Sequence, residues 1–379
     1  MNNPLPLTRT GAAPAGTGIA AGPTVRLRGL GTALPPHALP QSQVLEAARA
    51  LLAPQFPHFE RLVPAFDAAG VEMRHSVVPM DWFHVPHGWE ERNAAYMKGA
   101  TELFIRAAKA ALADARIAAA EVDIVVTVSS TGIATPTLDA QAAGALGLRP
   151  DTRRVPLFGL GCAGGVTGLA TARALAAASP GATVLLVAVE TCSLAFRSER
   201  PRKADIIATV LFGDGAAAAV VTSGGGPPDP AAEPGGRGTP IVHEGHEHRW
   251  PDTLGIMGWD VKDDGLGVVF DRSIPQFARD EFRAAAMAAL SRMGRDVEDV
   301  ERFVCHPGGT KVMLALEEAL DMPQGRLDHE REVLRGAGNM SAPTVLFVLK
   351  RCLEAGERGD LVMAALGPGF TASFLPITA

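Results

Sequence analysis

The sequence is short of the features that would assign it to several large classes of protein. Its 379 residues include four cysteines, which contain no CxxC pair and are too few and scattered for a disulfide framework. No run of eighteen apolar residues occurs, which argues against a membrane span. Basic residues are in deficit, 35 Lys and Arg against 41 Asp and Glu, so no positive field exists to hold a nucleic-acid backbone. The N-terminus, MNNPLPLTRTGAAPAGTGIAAGP, lacks a charged n-region and a compact apolar h-region and does not read as a signal peptide. A cytoplasmic protein with free thiols is the expectation. Glycine (41) and proline (29) stay below the share of a disordered chain, and 47% of the residues are hydrophobic, enough for a sizeable core.

Two stretches of turn-forming residues punctuate the chain. Residues 1–23 have little to bury and read as a mobile tail. Residues 223–240 (SGGGPPDPAAEPGGRGTP) read as a flexible surface loop. They leave an N-terminal half, 24–222, and a C-terminal half, 241–379, which resemble each other. The amphipathic pattern starting at Phe104 returns at Phe282, and the β-branched run starting at Val122 returns at Val300, each 178 positions later. Cys162 opens a small-residue turn and an apolar helix, as does Asn339. The buried-strand pattern starting at Leu185 returns at Leu361. Four elements at a nearly constant offset predict a duplicated α/β unit, with largely parallel sheets covered by helices. Two such units packed around shared central helices give a five-layered αβαβα body. The central helices should be the two most apolar, those after Cys162 and Asn339, with their N-termini in one region.

That arrangement would gather the residues that carry chemistry. Cys162 sits in PLFGLGCAGG, after a strand and at the start of a buried helix. Flanking glycines allow a sharp turn that leaves the thiol reachable, and a helix N-terminus favours the thiolate, which is the nucleophile. Most free cysteines are merely packed, the reading given to Cys192, Cys305 and Cys352. His306 lies in FVCHPGGT at a strand end, where an imidazole can give or take a proton. Asn339, in GAGNMSAPTVLF, is by itself most often a helix cap, but the duplication sets it opposite Cys162. An imidazolium can hold the thiol as thiolate, and imidazole and carboxamide N–H groups can stabilise an enolate. Acyl transfer and carbon–carbon bond formation fit this set better than proteolysis, although a hydrolase is not excluded by sequence order alone.

GCAGG around Cys162, LFGDGAA at 211–217, CHPGG at 305–309, GNMSAPTVLF at 338–347 and GPGF at 367–370 occur in order. Together they resemble the type III polyketide synthases, chalcone-synthase-like enzymes of the thiolase fold. The resemblance implies homodimers acting on small-molecule CoA thioesters, with no cofactor, metal or carrier protein. They load an acyl-CoA starter on the cysteine, extend it with malonyl-CoA by decarboxylative Claisen condensation, and cyclise the product. It casts Cys162 as the acyl carrier and His306 and Asn339 as the pair that drives decarboxylation. Phe212 becomes the gate between CoA tunnel and cavity, with the second gate aromatic falling near Val268 unless Phe270 substitutes. Among the basic residues that would bind CoA phosphates, Arg61 is present. His58 stands where a lysine is frequent, and Ala65 replaces another basic residue. Gly308 and Gly309 would let the pantetheine arm pass.

Thr131, Thr135, Cys192 and Ala195, with Gly367 and Pro368, match segments that line the family's cavity. These segments look closer to bacterial alkylpyrone and alkylresorcinol synthases than to plant chalcone synthases. Small side chains there suggest a medium- or long-chain fatty acyl starter, each buried methylene contributing about 0.8 kcal/mol. The nearest rival is a β-ketoacyl-carrier-protein synthase III, which performs a single condensation. A non-catalytic acyl-binding protein on the same fold should lack part of the triad. The histidines of HEGHEH (His243, His246, His248) suggest a metal only weakly; a solvated strand or loop edge is the plainer reading.

Overall fold

The computed structural model describes residues 23–197, 201–224, 238–263 and 265–379. The expected tail, apart from its last residue, and most of the expected 223–240 loop lie outside the described residues.

The N-terminal half begins with β1 (Val25–Ala33), β2 (His37–Pro40), α1 (Gln41–Leu52), α2 (Pro64–Ala68) and β3 (Met73–Ser76). A long helix, α3 (Trp89–Ala115), follows, then β4 (Ile124–Val128), α4 (Leu138–Leu146) and β5 (Arg153–Leu157). It closes with α5 (Gly164–Ala178), β6 (Thr183–Thr191), α6 (Lys203–Leu211) and β7 (Asp214–Ser223). The C-terminal half contains the short strands β8 (Ile241–Val242) and β9 (His246–Arg249), the hairpin β10 (Met257–Lys262) and β11 (Gly265–Phe270), and α7 (Ile274–Arg292). After these come β12 (Arg302–Cys305), α8 (Thr310–Ala319), α9 (Asp328–Ala337) and α10 (Thr344–Glu354), then β13 (Asp360–Gly367) and β14 (Thr371–Thr378).

The two halves repeat one pattern. β4 runs parallel to β6, which turns antiparallel to β7. Likewise β12 runs parallel to β13, which turns antiparallel to β14. Helices α5 and α10 touch each other, and both touch strands of both halves, so they form the shared middle layer. Helix α3 covers β1, β6 and β7 on one outside, while α7 and α8 pack together on the other, with α7 against β14. The α/β/α/β/α layering follows.

Strand side chains divide between these layers with the period of two that a pleated strand imposes. Val184, Leu186 and Ala188 of β6 join the central core with Leu169, Val345 and Leu349, while Leu185, Val187 and Val189 join the outer one. Both faces are buried, so these strands are continuous apolar runs rather than alternating ones. One feature departs from two separate sheets. The strand β8 pairs with β1 on one side and β14 on the other, stitching both halves into a single ten-stranded sheet.

The halves are unequal in one buried detail. The first residue of β4, Ile124, sits in the central core. Its counterpart 178 positions on is Arg302, 2% exposed, which pairs with Glu330 (3.1 Å), Asp328 (2.9 Å) and Glu357 (3.0 Å). Glu330 also accepts the backbone N–H of Cys305 at 2.9 Å, fixing the strand end that carries His306.

Candidate active site

Cys162 occupies a one-turn 3-10 segment, Gly161–Ala163, that runs into α5. Gly161 has φ +48°, and a Cβ there would stand 2.7 Å from the Pro368 ring, so only glycine fits this turn. Asn339 does not start α10 as expected. It lies five residues upstream, in a turn where Ser341 has φ +60°. The two turns are pressed together: a Cβ on Gly165 would stand 2.2 Å from the Ala342 carbonyl oxygen. His306 follows β12, its backbone N–H extending the ladder to Ala364 at 2.8 Å.

Cys162, His306 and Asn339 line one small cavity of about 20 Å³, shared with Phe270, Gly308 and Leu366. That space is about what a single water requires. Both ring nitrogens of His306 are buried without a hydrogen-bond partner, and burial pushes the imidazole down to about 3. Burial likewise pushes the Cys162 thiol up to about 11, against an opposing hydrogen bond with Ser341. For the half-buried Cys162, desolvation thus opposes the thiolate that a helix end would favour. Opposite charges formed in one cavity would attract, which favours forming the thiolate and the imidazolium together.

The Asn339 amide has a defined orientation. Its Oδ1 accepts the Ser341 N–H at 2.8 Å, and an N–H can only donate, so Nδ2 points the other way. There it meets only a long contact to the Gly308 carbonyl, 3.5 Å. An imidazole and an amide N–H thus face the sulfur's cavity with donor capacity in reserve.

Phe212, at the end of α6, is bridged to Asn339 by backbone pairing and lines a second, apolar cavity of about 60 Å³. Cys192 and Ala195 line it too, with Leu39, Phe83 and Phe196. Thr131, Thr135, Gly367 and Pro368, also expected at the pocket, do not line this cavity. Thr131 is buried and donates to Glu190 at 2.7 Å, Thr135 is exposed, and Gly367 and Pro368 pack against Ala163 and Gly161 of the nucleophile turn. Arg61 is exposed on a 3-10 turn, Phe59–Leu62, and not on a regular helix. Gly309 has φ +147°, and the neighbouring Thr310 hydroxyl donates to the Ala69 carbonyl at 2.9 Å, tying Gly308 and Gly309 to the end of α2. Val268 is buried in β11 opposite Trp259, and it is the Trp259 ring that meets Phe212 edge-on, 6.4 Å away.

Several participants carry no sequence signal. Arg74, 3% exposed, donates to the carbonyls of Thr209, Val210 (2.8 Å) and Phe212 (3.1 Å) and to Gln41 Oε1, closing the end of α6 that bears Phe212. Burial pushes its guanidinium down to about 9. Glu190 accepts the Ser130 N–H at 2.9 Å, and burial pushes its carboxyl up to about 7. The hairpin that delivers Trp259 was signalled only by the Asp-Asp-Gly run at 263–265. Trp250, Phe277 and Phe370 cluster around the GPGF turn. Of the HEGHEH histidines, His243 bonds Thr378 and His248 meets Trp250 edge-on; no metal-holding group occurs among the described residues.

Comparison with known proteins decides the family. Residues 84–227 match the N-terminal domain of chalcone and stilbene synthases, and residues 242–377 match their C-terminal domain. The chain belongs to the chalcone and stilbene synthase family. Among its type III polyketide synthase relatives is 1,3,6,8-tetrahydroxynaphthalene synthase of Streptomyces peucetius subsp. caesius, 36% identical, covering 91% of this chain and 90% of that protein. A putative chalcone synthase of Bacillus subtilis is 33% identical over 91% and 96%. The crystal structure of 1,3,6,8-tetrahydroxynaphthalene synthase from Streptomyces coelicolor superposes with a TM-score of 0.84 at 27% identity, covering 93% and 99%. This synthase is an acyltransferase-type enzyme on the thiolase fold. Among the described residues no helix is long and apolar enough to cross a membrane.

Proposed function

We propose that this type III polyketide synthase starts from a medium- or long-chain fatty acyl-CoA and releases alkylpyrone or alkylresorcinol products. In loading, His306 takes the Cys162 proton as sulfur attacks the starter carbonyl. CoA leaves as thiolate and recovers that proton from the imidazolium. Malonyl-CoA then loses CO2, and the electron pair of the broken bond becomes an enolate. Its oxygen accepts N–H bonds from neutral His306 and from Asn339 Nδ2. The enolate carbon attacks the acyl carbonyl on Cys162, sulfur departs, and the lengthened chain remains on CoA for the next round. An imidazole held neutral by burial suits the donor role, because it has an N–H to give without needing a counter-ion.

The observation behind the starter is the apolar cavity beside Phe212, walled by Leu39, Phe83, Cys192, Ala195 and Phe196. A carbon-lined space with little polar surface suits an alkyl chain. Mass spectrometry of products from malonyl-CoA with a starter panel tests it. Several ketides on C8–C18 starters are expected. Full activity with acetyl-CoA or p-coumaroyl-CoA and none with C8–C18 would overturn it. Tetrahydroxynaphthalene from malonyl-CoA alone would favour the activity named for the Streptomyces relatives.

We further infer a homodimer through β5, an edge strand of the sheet. Phe158 and Ile133 beside it are 65% and 56% exposed, and an unpaired edge with apolar neighbours invites a second copy. Light scattering should give twice the chain mass, and Phe158→Asp should shift it toward the monomer. A monomeric wild type would overturn this.

A further inference from the structure

A third cavity has no part in the chemistry above. It is a cleft of about 650 Å³ lined by Arg173, Arg292, Arg295, His243, His246 and Glu244, among others. Arg173 projects from α5 and Arg292 from the last turn of α7. The catalytic cavity touches α7 earlier, at Ile274 and Phe282, and the stretch of helix from Phe282 to Arg292 spans about 15 Å. The cleft shares no lining residue with the catalytic cavity and none with the expected CoA contacts Arg61, Gly308 and Gly309, so it is a separate place in the fold.

Its charges are not balanced from within. Arg295 is matched by Asp360 at 2.5 Å, and His243 bonds Thr378 at 2.8 Å. Among the described residues Arg173 has no such partner: its Nε is buried without any hydrogen bond. Arg292 is exposed, and no ion pair offsets it among the described residues. One carboxylate, exposed Glu244, shares the lining with three guanidiniums and two imidazoles. Guanidinium forks match phosphate oxygens in geometry as well as charge, and a buried N–H without an acceptor is costly until one arrives.

We propose that this cleft is a second binding site, specific for a phosphate-bearing anion, which joins the helix carrying the nucleophile to the end of α7. Binding to the folded chain alone raises its melting temperature. Thermal unfolding of the full chain at fixed ionic strength should show a saturable rise with inorganic pyrophosphate or adenosine 3′,5′-bisphosphate. A response to pyrophosphate would identify a free polyphosphate as occupant, and a response confined to the bisphosphate the nucleotide end of CoA. Arg292→Gln should weaken the response about tenfold while leaving acyl loading of Cys162 at the wild-type rate. Glu244→Gln, which removes the competing carboxylate, should strengthen it. Absence of a saturable rise overturns the proposal. So does a rise kept in Arg292→Gln but lost in Arg61→Ala, which would put the anion at the CoA contacts.

Discussion

Two connections at equivalent places in the duplicated fold differ sevenfold in length. Between β13 and β14 the chain turns in three residues, Pro368–Phe370, and Pro368 lies against the nucleophile turn. Between β6 and β7 it takes 22 residues, Cys192–Gly213, and builds α6. That longer excursion supplies Cys192, Ala195 and Phe212 to the apolar cavity. The repeated framework thus places the sulfur and the amide at matching turns, while the unequal excursion shapes the space where substrates differ. On the proposed reading, chemistry sits on the symmetric part of the molecule and selectivity on the asymmetric part. The same contrast reaches the core, where Ile124 of one half becomes the Arg302 cluster of the other.

The largest effect should come from the symmetric turns. Cys162→Ala removes the acyl carrier, so intact-protein mass spectrometry should show no acyl adduct and condensation should cease. His306→Ala and Asn339→Ala should cut CO2 release from malonyl-CoA far more than starter loading. Normal release from both would break the division of labour between the halves.

Next comes the buried cluster. Arg302→Met leaves Glu330 buried without its cation, an expected loss of about 3–5 kcal/mol by denaturant unfolding. Replacing Arg302 and Glu330 together with apolar residues should recover most of it, making the C-terminal half resemble its partner at Ile124. Failure to recover would mean that the carboxylate's bond to Cys305 N–H outweighs the pairing.

Glu190 should give the folded state a pH dependence. Its carboxyl is raised from 4.5 to about 7, so between those values the folded state keeps a proton that the unfolded chain has released. Stability should fall as pH rises through that window, on the order of 3 kcal/mol in all, and Glu190→Gln should flatten the curve.

The smallest expected change is Arg74→Met, which leaves the carbonyls of Thr209, Val210 and Phe212 without their donor. A loss of about 1–3 kcal/mol and an altered spread of product lengths should accompany an unchanged rate of acyl loading. Unchanged product lengths would separate Arg74 from the placing of Phe212.

Much of this organisation was legible because burial leaves simple marks. Strands covered on both faces, such as β6, must be unbroken apolar runs, and a duplication repeats them at a fixed interval. Cys162, His306 and Asn339 were legible for a related reason: each stands near the end of such an element beside glycines, the mark of a turn where chain segments approach closely. Arg74, Glu190, Arg302 and Glu330 were not, since a buried charge looks like any surface charge until its partners, far away in sequence, are folded onto it. Trp259 was missed because its place beside Phe212 depends on the pairing of β10 with β11, and Val268, the residue at the expected gate, lies directly across that hairpin. Thr131 and Thr135 were expected at the cavity because their own segment, 130–140, resembles one that lines it in the family. In the fold one is drawn to Glu190 and the other faces outward.

The two-residue strand β8 has a mechanical consequence. Bonded to β1 on one flank and to β14 on the other, it couples the two halves through backbone hydrogen bonds, so a displacement of one edge is carried directly to the other.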